Sequence, residues 1–208
     1  MRLLKTLVAS AALVASLGAN ATVTGGMGGG LPGSFLTLSS AGLSGGAVAT
    51  LTGGAVFPGD LPFADQPFGS VSNFLAAGPA FVPPVVGSPS ATLAFTGSGV
   101  SLVSFLWGSP DLYNLLTVHS SSGADQTFTA AGLGFPVTNG NQGFSQYVRF
   151  QGVGADKILS LTFSNVPAVN AFEVTNFTIT PVPEPETYAL MLAGLGAVGF
   201  VARRRKSA

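Results

Sequence analysis

The sequence predicts a mainly β fold, an antiparallel β-sandwich of jelly-roll-like type, and three observations carry that prediction. Gly and Pro supply 29 and 14 of the 208 residues while charged residues make up only 8%, a composition that suits turn-rich strands and poorly suits helices. From Ala91 onward, short apolar stretches recur at close spacing, each bounded by Gly, Pro, Asn or Ser, as in an antiparallel sandwich. There is no Cys, so the fold rests on its apolar core rather than on disulfides, and thiolate metal sites are excluded.

Residues 22–90 form a Gly/Pro-rich N-terminal part of the β domain. Short alternating pieces such as Ser34–Leu38 and Ala47–Leu51 read as a strand or two, followed by a long irregular excursion. Within it, Val71–Ala77 reads as a short helical turn. Residues 91–180 form the sandwich core, with strands expected at Ala91–Thr96, Val100–Trp107, Leu112–His119, Asp125–Ala130, Ser145–Gln151, Lys157–Phe163 and Ala171–Thr180. Alternation places Val148 and Phe150 on one face and Tyr147, Arg149 and Gln151 on the other. It also sends Leu159, Leu161 and Phe163 inward. The last strand changes phase: Phe172 and Val174 are even-numbered, Phe177 and Ile179 odd. Two readings fit, a β-bulge near Thr175-Asn176 or a strand buried on both faces.

The two ends of the chain have a different character. Arg2 and Lys5 precede an apolar Leu7–Leu17 run, and Ala19-Asn20-Ala21 forms an A-x-A site. Residues 1–21 therefore read as a signal peptide cleaved after Ala21, with Thr22 as the mature N-terminus, which implies the Sec translocon and signal peptidase as partners. At the other end, residues 181–208 hold three blocks in order. Pro183-Glu184-Pro185 is followed by an uncharged apolar run, 188–202, and then by Arg203-Arg204-Arg205-Lys206. The run reads as a single transmembrane helix with the cations as its cytoplasmic stop. Its roughly 15 residues reach ~22 Å against ~30 Å of hydrocarbon, which suits a transient hold in the inner membrane. Between residues 22 and 182 only Arg149 and Lys157 oppose six acids, a net of −4. That balance argues against nucleic acid as a partner.

The C-terminal order of blocks resembles the PEP-CTERM sorting signal of Gram-negative bacteria: Pro183, Glu184 and Pro185 match its signature, 188–202 its membrane segment and Arg203–Lys206 its basic end. The resemblance implies processing by exosortase, a membrane-embedded cysteine transpeptidase-like enzyme. It also implies export through an inner-membrane intermediate with a periplasmic domain to the cell surface or extracellular matrix, and a link to exopolysaccharide and biofilm.

The densest cluster of informative residue types is Phe105 to Asn114, where Trp107 ends a strand and Gly108-Ser109-Pro110-Asp111 turns the chain toward Tyr113. Three readings stay open: a structural corner, a glycan contact through Trp107, Asp111, Tyr113 and Asn114, or a Ca²⁺ site with oxygen ligands. This block resembles a recurrent module of PEP-CTERM surface proteins, together with Gln66-Pro67-Phe68-Gly69, Phe74-Leu75-Ala76 and Ala171–Asn176. Thr175 stands where that pattern usually has Asp, which weakens Asp111, Glu173 and Asn176 as metal candidates. No cofactor is expected beyond that Ca²⁺.

Enzyme signatures are poorly supported, and no catalytic residue is assigned. Gly42-Leu43-Ser44-Gly45-Gly46 fits G-x-S-x-G but lacks the following helix a nucleophile elbow needs, and Gly28, Gly30 and Gly33 are followed by a strand. His119 has Ser120–Ser122 and Asp125 close by in sequence, but sequence proximity is not triad geometry, and a strand-end His is usually solvated. Paired carboxylates for a glycosidase could be drawn from Asp111 and Glu173, in a chain with few acids. The expected role is that of a non-enzymatic, exosortase-processed surface or matrix protein. The alternative is a Ca²⁺-stabilised carbohydrate-binding module, and a polysaccharide hydrolase comes third.

Overall fold

The computed structural model describes residues 23–28, 35–78, 88–123, 125–181, 191–195 and 198. The signal peptide with Ala19, Ala21 and Thr22, the Pro183-Glu184-Pro185 motif, the Arg203–Lys206 block and most of the 188–202 run lie outside these residues. Among the described residues, no helix is long and apolar enough to cross a membrane.

The fold is mainly antiparallel β. Among the described residues, thirteen strands form one hydrogen-bonded sheet: β1 (Val23–Met27), β2 (Leu38–Ser39), β3 (Gly42–Leu43), β4 (Ala49–Gly53), β5 (Ala55–Phe57), β6 (Phe74–Ala77), β7 (Ser90–Phe95), β8 (Val100–Gly108), β9 (Asn114–Ser120), β10 (Asp125–Phe128), β11 (Ser145–Gly152), β12 (Ile158–Asn165) and β13 (Phe172–Pro181). The pairings divide the strands into two layers. One runs β5-β6-β13-β8-β11-β1 and the other β2-β3-β4-β7-β12-β9-β10. The layers join through one residue pair, Ile158 with Val100, which makes the whole barrel-like.

All seven strands expected beyond Ala91 are present within two residues or so of their predicted limits. Aromatic rings fill the space between the layers because strand parity sends them there. Val103, Phe105 and Trp107 share one face of β8 and are fully buried. The Phe105 ring lies 5.8 Å from Phe150 on β11, 5.4 Å from Phe177 on β13, and 5.5 Å edge-on from Phe163 in the opposite layer. Each fully buried ring removes enough apolar surface from water to contribute about 1.5–3 kcal/mol.

Both readings of the last strand hold. The β13–β8 register shifts between Thr175 and Thr178, and Asn176 takes a left-handed φ of 54°. That bulge turns Phe172, Val174 and Phe177 onto the core, while Thr175 and Thr178 are buried on the other face. The outer face is covered by chain that precedes β6: Thr175 Oγ1 donates to the Asn73 carbonyl (2.6 Å), and the Leu36 amide to the Phe177 carbonyl (2.8 Å).

Two expectations are corrected. Val71–Ala77 contains no helical turn; Phe74–Ala77 is β6, pairs with β13, and is buried at all four positions. Burial on both faces removes the alternation that identifies a strand. On β12 a second register shift between Ile158 and Ser160 brings Ile158 into the core and leaves Leu159 half-exposed, reversing the inward placement expected for Leu159. Residues before Ala91 also supply more strands than expected, and these are built into both layers, β4 against β7 and β1 against β11.

Candidate functional site

The corner between β8 and β9 separates the four predicted glycan-contact residues into two pairs. Trp107 has no exposed surface; its ring stacks on Phe172 at 4.4 Å and meets Phe135 edge-on at 5.4 Å. It offers no face to a sugar, so its expected role as a stacking platform is corrected to that of a core residue. Asn114 is equally internal. Its Oδ1 accepts from the Asp111 amide (2.7 Å) and the Trp107 indole N–H (3.4 Å), and its Nδ2 donates to Asn165 Oδ1 (2.9 Å). A buried amide with its hydrogen-bonding groups engaged ties a corner together and is not free to read a ligand.

Asp111 and Tyr113 point the other way, into a cavity of about 510 Å³ that they line with Asp65, Ser109, Asn139, Gln142, Asn170 and Glu173. The walls come from four parts of the chain: the loop before β6, the β8–β9 corner, the loop before β11 and the start of β13. Glu173 is only 4% exposed. Its Oε2 accepts from Ser109 Oγ (3.0 Å) and its Oε1 from the Asp65 amide (3.4 Å). Burial pushes its pKa up to about 8, against the opposing pull of those two hydrogen bonds and with help from the charges of Asp65 and Asp111. Glu173 is therefore largely protonated at neutral pH and can act as a hydrogen-bond donor.

The Tyr113 hydroxyl donates to the Asn170 carbonyl (2.9 Å). Burial first, then the adjacent Asp111 carboxylate, push its pKa well above the usual phenol value. Asp65 is raised by burial and by the charge of Asp60, with the Gln142 side chain opposing. Among the described residues, neither this cavity nor its neighbour is lined by any Lys or Arg.

The neighbouring cavity, about 280 Å³, shares Asp65 and Gln142 with the first and continues along Asp60, Gln66, Phe68 and Ser70. The sequence drew attention to Gln66-Pro67-Phe68-Gly69 without a role; here those residues form its outer wall. Phe68 sits at the tip of a turn closed by the Ser70 amide donating to the Pro67 carbonyl (2.9 Å). Gly69 supplies the positive φ of 80° that a type II turn requires at its third position.

The three weak metal candidates are not brought together. Asp111 and Glu173 share the large cavity, but Asn176 lies on the β13 bulge, where it donates to the Tyr147 hydroxyl (3.1 Å) and accepts from Ser70 Oγ (3.4 Å). Among the described residues, no group of three or more His, Asp or Glu side chains could hold a metal ion. His119 pairs with Asp125 across strands at 2.5 Å on an exposed face, whereas Ser120 next to it is buried on the opposite side of β9. Ser44 lies in a 3₁₀ turn at Ser44–Gly46 and not at a strand-to-helix elbow.

Past the last strand, residues 181–206 match the family model of the PEP-CTERM protein-sorting motif. The chain carries a PEP-CTERM sorting signal. The signal implies export, processing by exosortase and sorting to the cell surface. The PEP-CTERM match begins at Pro181, the final residue of β13, so the β domain and the sorting signal abut with no spacer. No curated protein and no solved structure matches the chain.

Proposed function

We propose that this PEP-CTERM protein is a non-catalytic component of the cell surface or extracellular matrix, held there in association with exopolysaccharide. In this reading a signal peptide ending at Ala21 delivers the chain to the periplasm, the 188–202 run holds it briefly in the inner membrane, and exosortase acts near Pro183–Pro185. The observation that carries the reading is the sorting motif starting where the last strand ends. The polar cavity beside Asp111 and Tyr113 supports the association with polysaccharide, because acids, amides and a phenol are the groups that meet sugar hydroxyls. Intact mass of the mature protein from wild-type and exosortase-deficient cells tests the route; equal masses in the two would remove it.

A second reading, a polysaccharide-acting hydrolase, is favoured by one observation. Glu173, largely protonated at neutral pH, shares a cavity with Asp111, which provides an acid and a carboxylate in one site. Release of reducing ends from extracted exopolysaccharide, abolished in Glu173→Gln, would establish it. The Ca²⁺-stabilised module is separated from both by melting with and without chelator, since a ligand at 100 times its Kd adds about 2.7 kcal/mol.

A further inference from the structure

We infer that the two joined cavities form one groove that binds a glycan chain lacking anionic groups, with Phe68 as its aromatic platform. The inference rests on the polysaccharide-associated reading above and adds the place and the selectivity of binding.

The two cavities adjoin, because Asp65 and Gln142 line both. Together the parts fall in the ~300–1,000 Å³ range typical of ligand pockets. Their polar groups, among them Asp65, Asp111, Tyr113, Asn139 and Gln142, supply both acceptors and amide donors, as sugar hydroxyls require. Asp60, Asp65 and Asp111, with no Lys or Arg among the described lining residues, make a carboxylated or sulfated chain unfavourable by like-charge repulsion. A neutral or amine-bearing chain meets no such barrier. Near neutral pH the protonated Glu173 adds a hydrogen-bond donor at the inner end.

The outer wall is held rigid before any ligand arrives. The Gln66 amide donates to Asp60 Oδ1 (2.7 Å) and Gln66 Nε2 to the Ser72 carbonyl (2.7 Å). Ser145 Oγ on β11 donates to the Phe68 carbonyl (2.7 Å). Pro67 packs so closely on β8 that a Cβ at Gly108 would come within 2.8 Å of its ring. Phe68 is nevertheless 61% exposed. An exposed aromatic alone is unremarkable; one fixed on a braced turn at the mouth of a polar groove presents its ring without the entropy loss a mobile loop would suffer on binding.

The test uses the full-length chain in detergent, titrated with three hexasaccharides: cellohexaose as neutral, chitosan hexamer as cationic and a polyuronate hexamer as anionic. Cellohexaose and chitosan hexamer are expected to bind and the polyuronate to bind at least tenfold more weakly. Phe68→Ala is expected to weaken binding about tenfold with melting temperature unchanged. Asp65→Asn, which removes an acid from the groove, is expected to weaken binding of chitosan hexamer more than that of cellohexaose. Preferential binding of the polyuronate, binding indifferent to both substitutions, or no binding of any of the three overturns the groove. In parallel, wild type and Phe68→Ala are incubated with exopolysaccharide extracted from the native cells. Retention of both variants alike overturns the groove and leaves the polysaccharide association standing. Failure of wild type to be retained overturns that association, and the titration then decides the groove independently.

Discussion

Glu173 is buried at 4% exposure with a hydroxyl and an amide as its hydrogen-bond donors and, among the described residues, no cation against it. Its folded pKa of about 8 lies above the ordinary 4.5. The stabilisation linked to its proton is complete below about pH 4.5 and is lost as pH rises to about 8, a span of the order of 4–5 kcal/mol. Glu173→Gln, which stays neutral, should flatten that dependence and melt higher than wild type at pH 9; pH-resolved thermal melts measure it, and parallel curves for the two proteins would refute the assignment. Trp107 behaves in the opposite sense to its appearance in the sequence. A lone Trp beside Asp and Asn attracts a ligand reading, yet its parity with Val103 and Phe105 already places it inward. Trp107→Ala should cost about 3–5 kcal/mol of stability, read as a fall in denaturant midpoint. Phe68, the exposed ring, carries no role legible in the sequence, because a Pro-Phe-Gly turn has no periodicity to mark it.

Among the elements, β7 to β13 were legible because each is long enough to alternate and is punctuated by turn residues. The phase slip in β13 was legible for the same reason, since four large apolar residues of changing parity require a bulge or double burial, and both occur. Before Ala91, Ala47–Leu51 was legible and overlaps β4, but the remaining strands were not, because runs of two to five residues carry almost no pattern. Loops presented a further limit: Asp65 and Gln142 meet only because β6 and β11 flank β13 and β8. One loop contact is structural in a definite way. Asp156, at the loop before β12, is buried and accepts from Ser121 Oγ (2.5 Å), the Ser122 amide (3.0 Å), Ser122 Oγ (3.0 Å) and the Lys157 amide (2.9 Å). Burial alone would raise its pKa, but these donors outweigh it and hold the carboxyl below its ordinary 3.8. Its contribution is present above about pH 3.8 and disappears as pH falls through the lower folded value. Asp156→Asn should lose about 2–3 kcal/mol at pH 7, and its melting temperature should converge on that of wild type in strong acid. A gap that persists there would show that packing, not charge, is responsible.

At the scale of the whole molecule, the destination was readable and the chemistry much less so. A sorting motif is a linear string recognised as such, so Pro183-Glu184-Pro185 and the blocks behind it carry their meaning without a fold. A binding groove exists only after distant loops have been brought together, and no spacing in the chain announces it. Composition supplied the intermediate level: few charges, many Gly and Pro and no Cys pointed to a β domain stabilised by its apolar core, which the ring cluster around Phe105 provides.

The direction of β13 gives the molecule a polarity. The strand enters at the groove, with Glu173 opposite Gly108, and leaves at the far end, with Pro181 opposite Val100. Eight residues of extended chain separate the two points, about 25 Å at the rise of a strand. The sorting signal follows at once from the exit. Any agent that grips the chain by that signal, whether enzyme, lipid or a covalent partner, holds the domain by its base. The cavity beside Glu173 then lies at the opposite end of that strand from the grip.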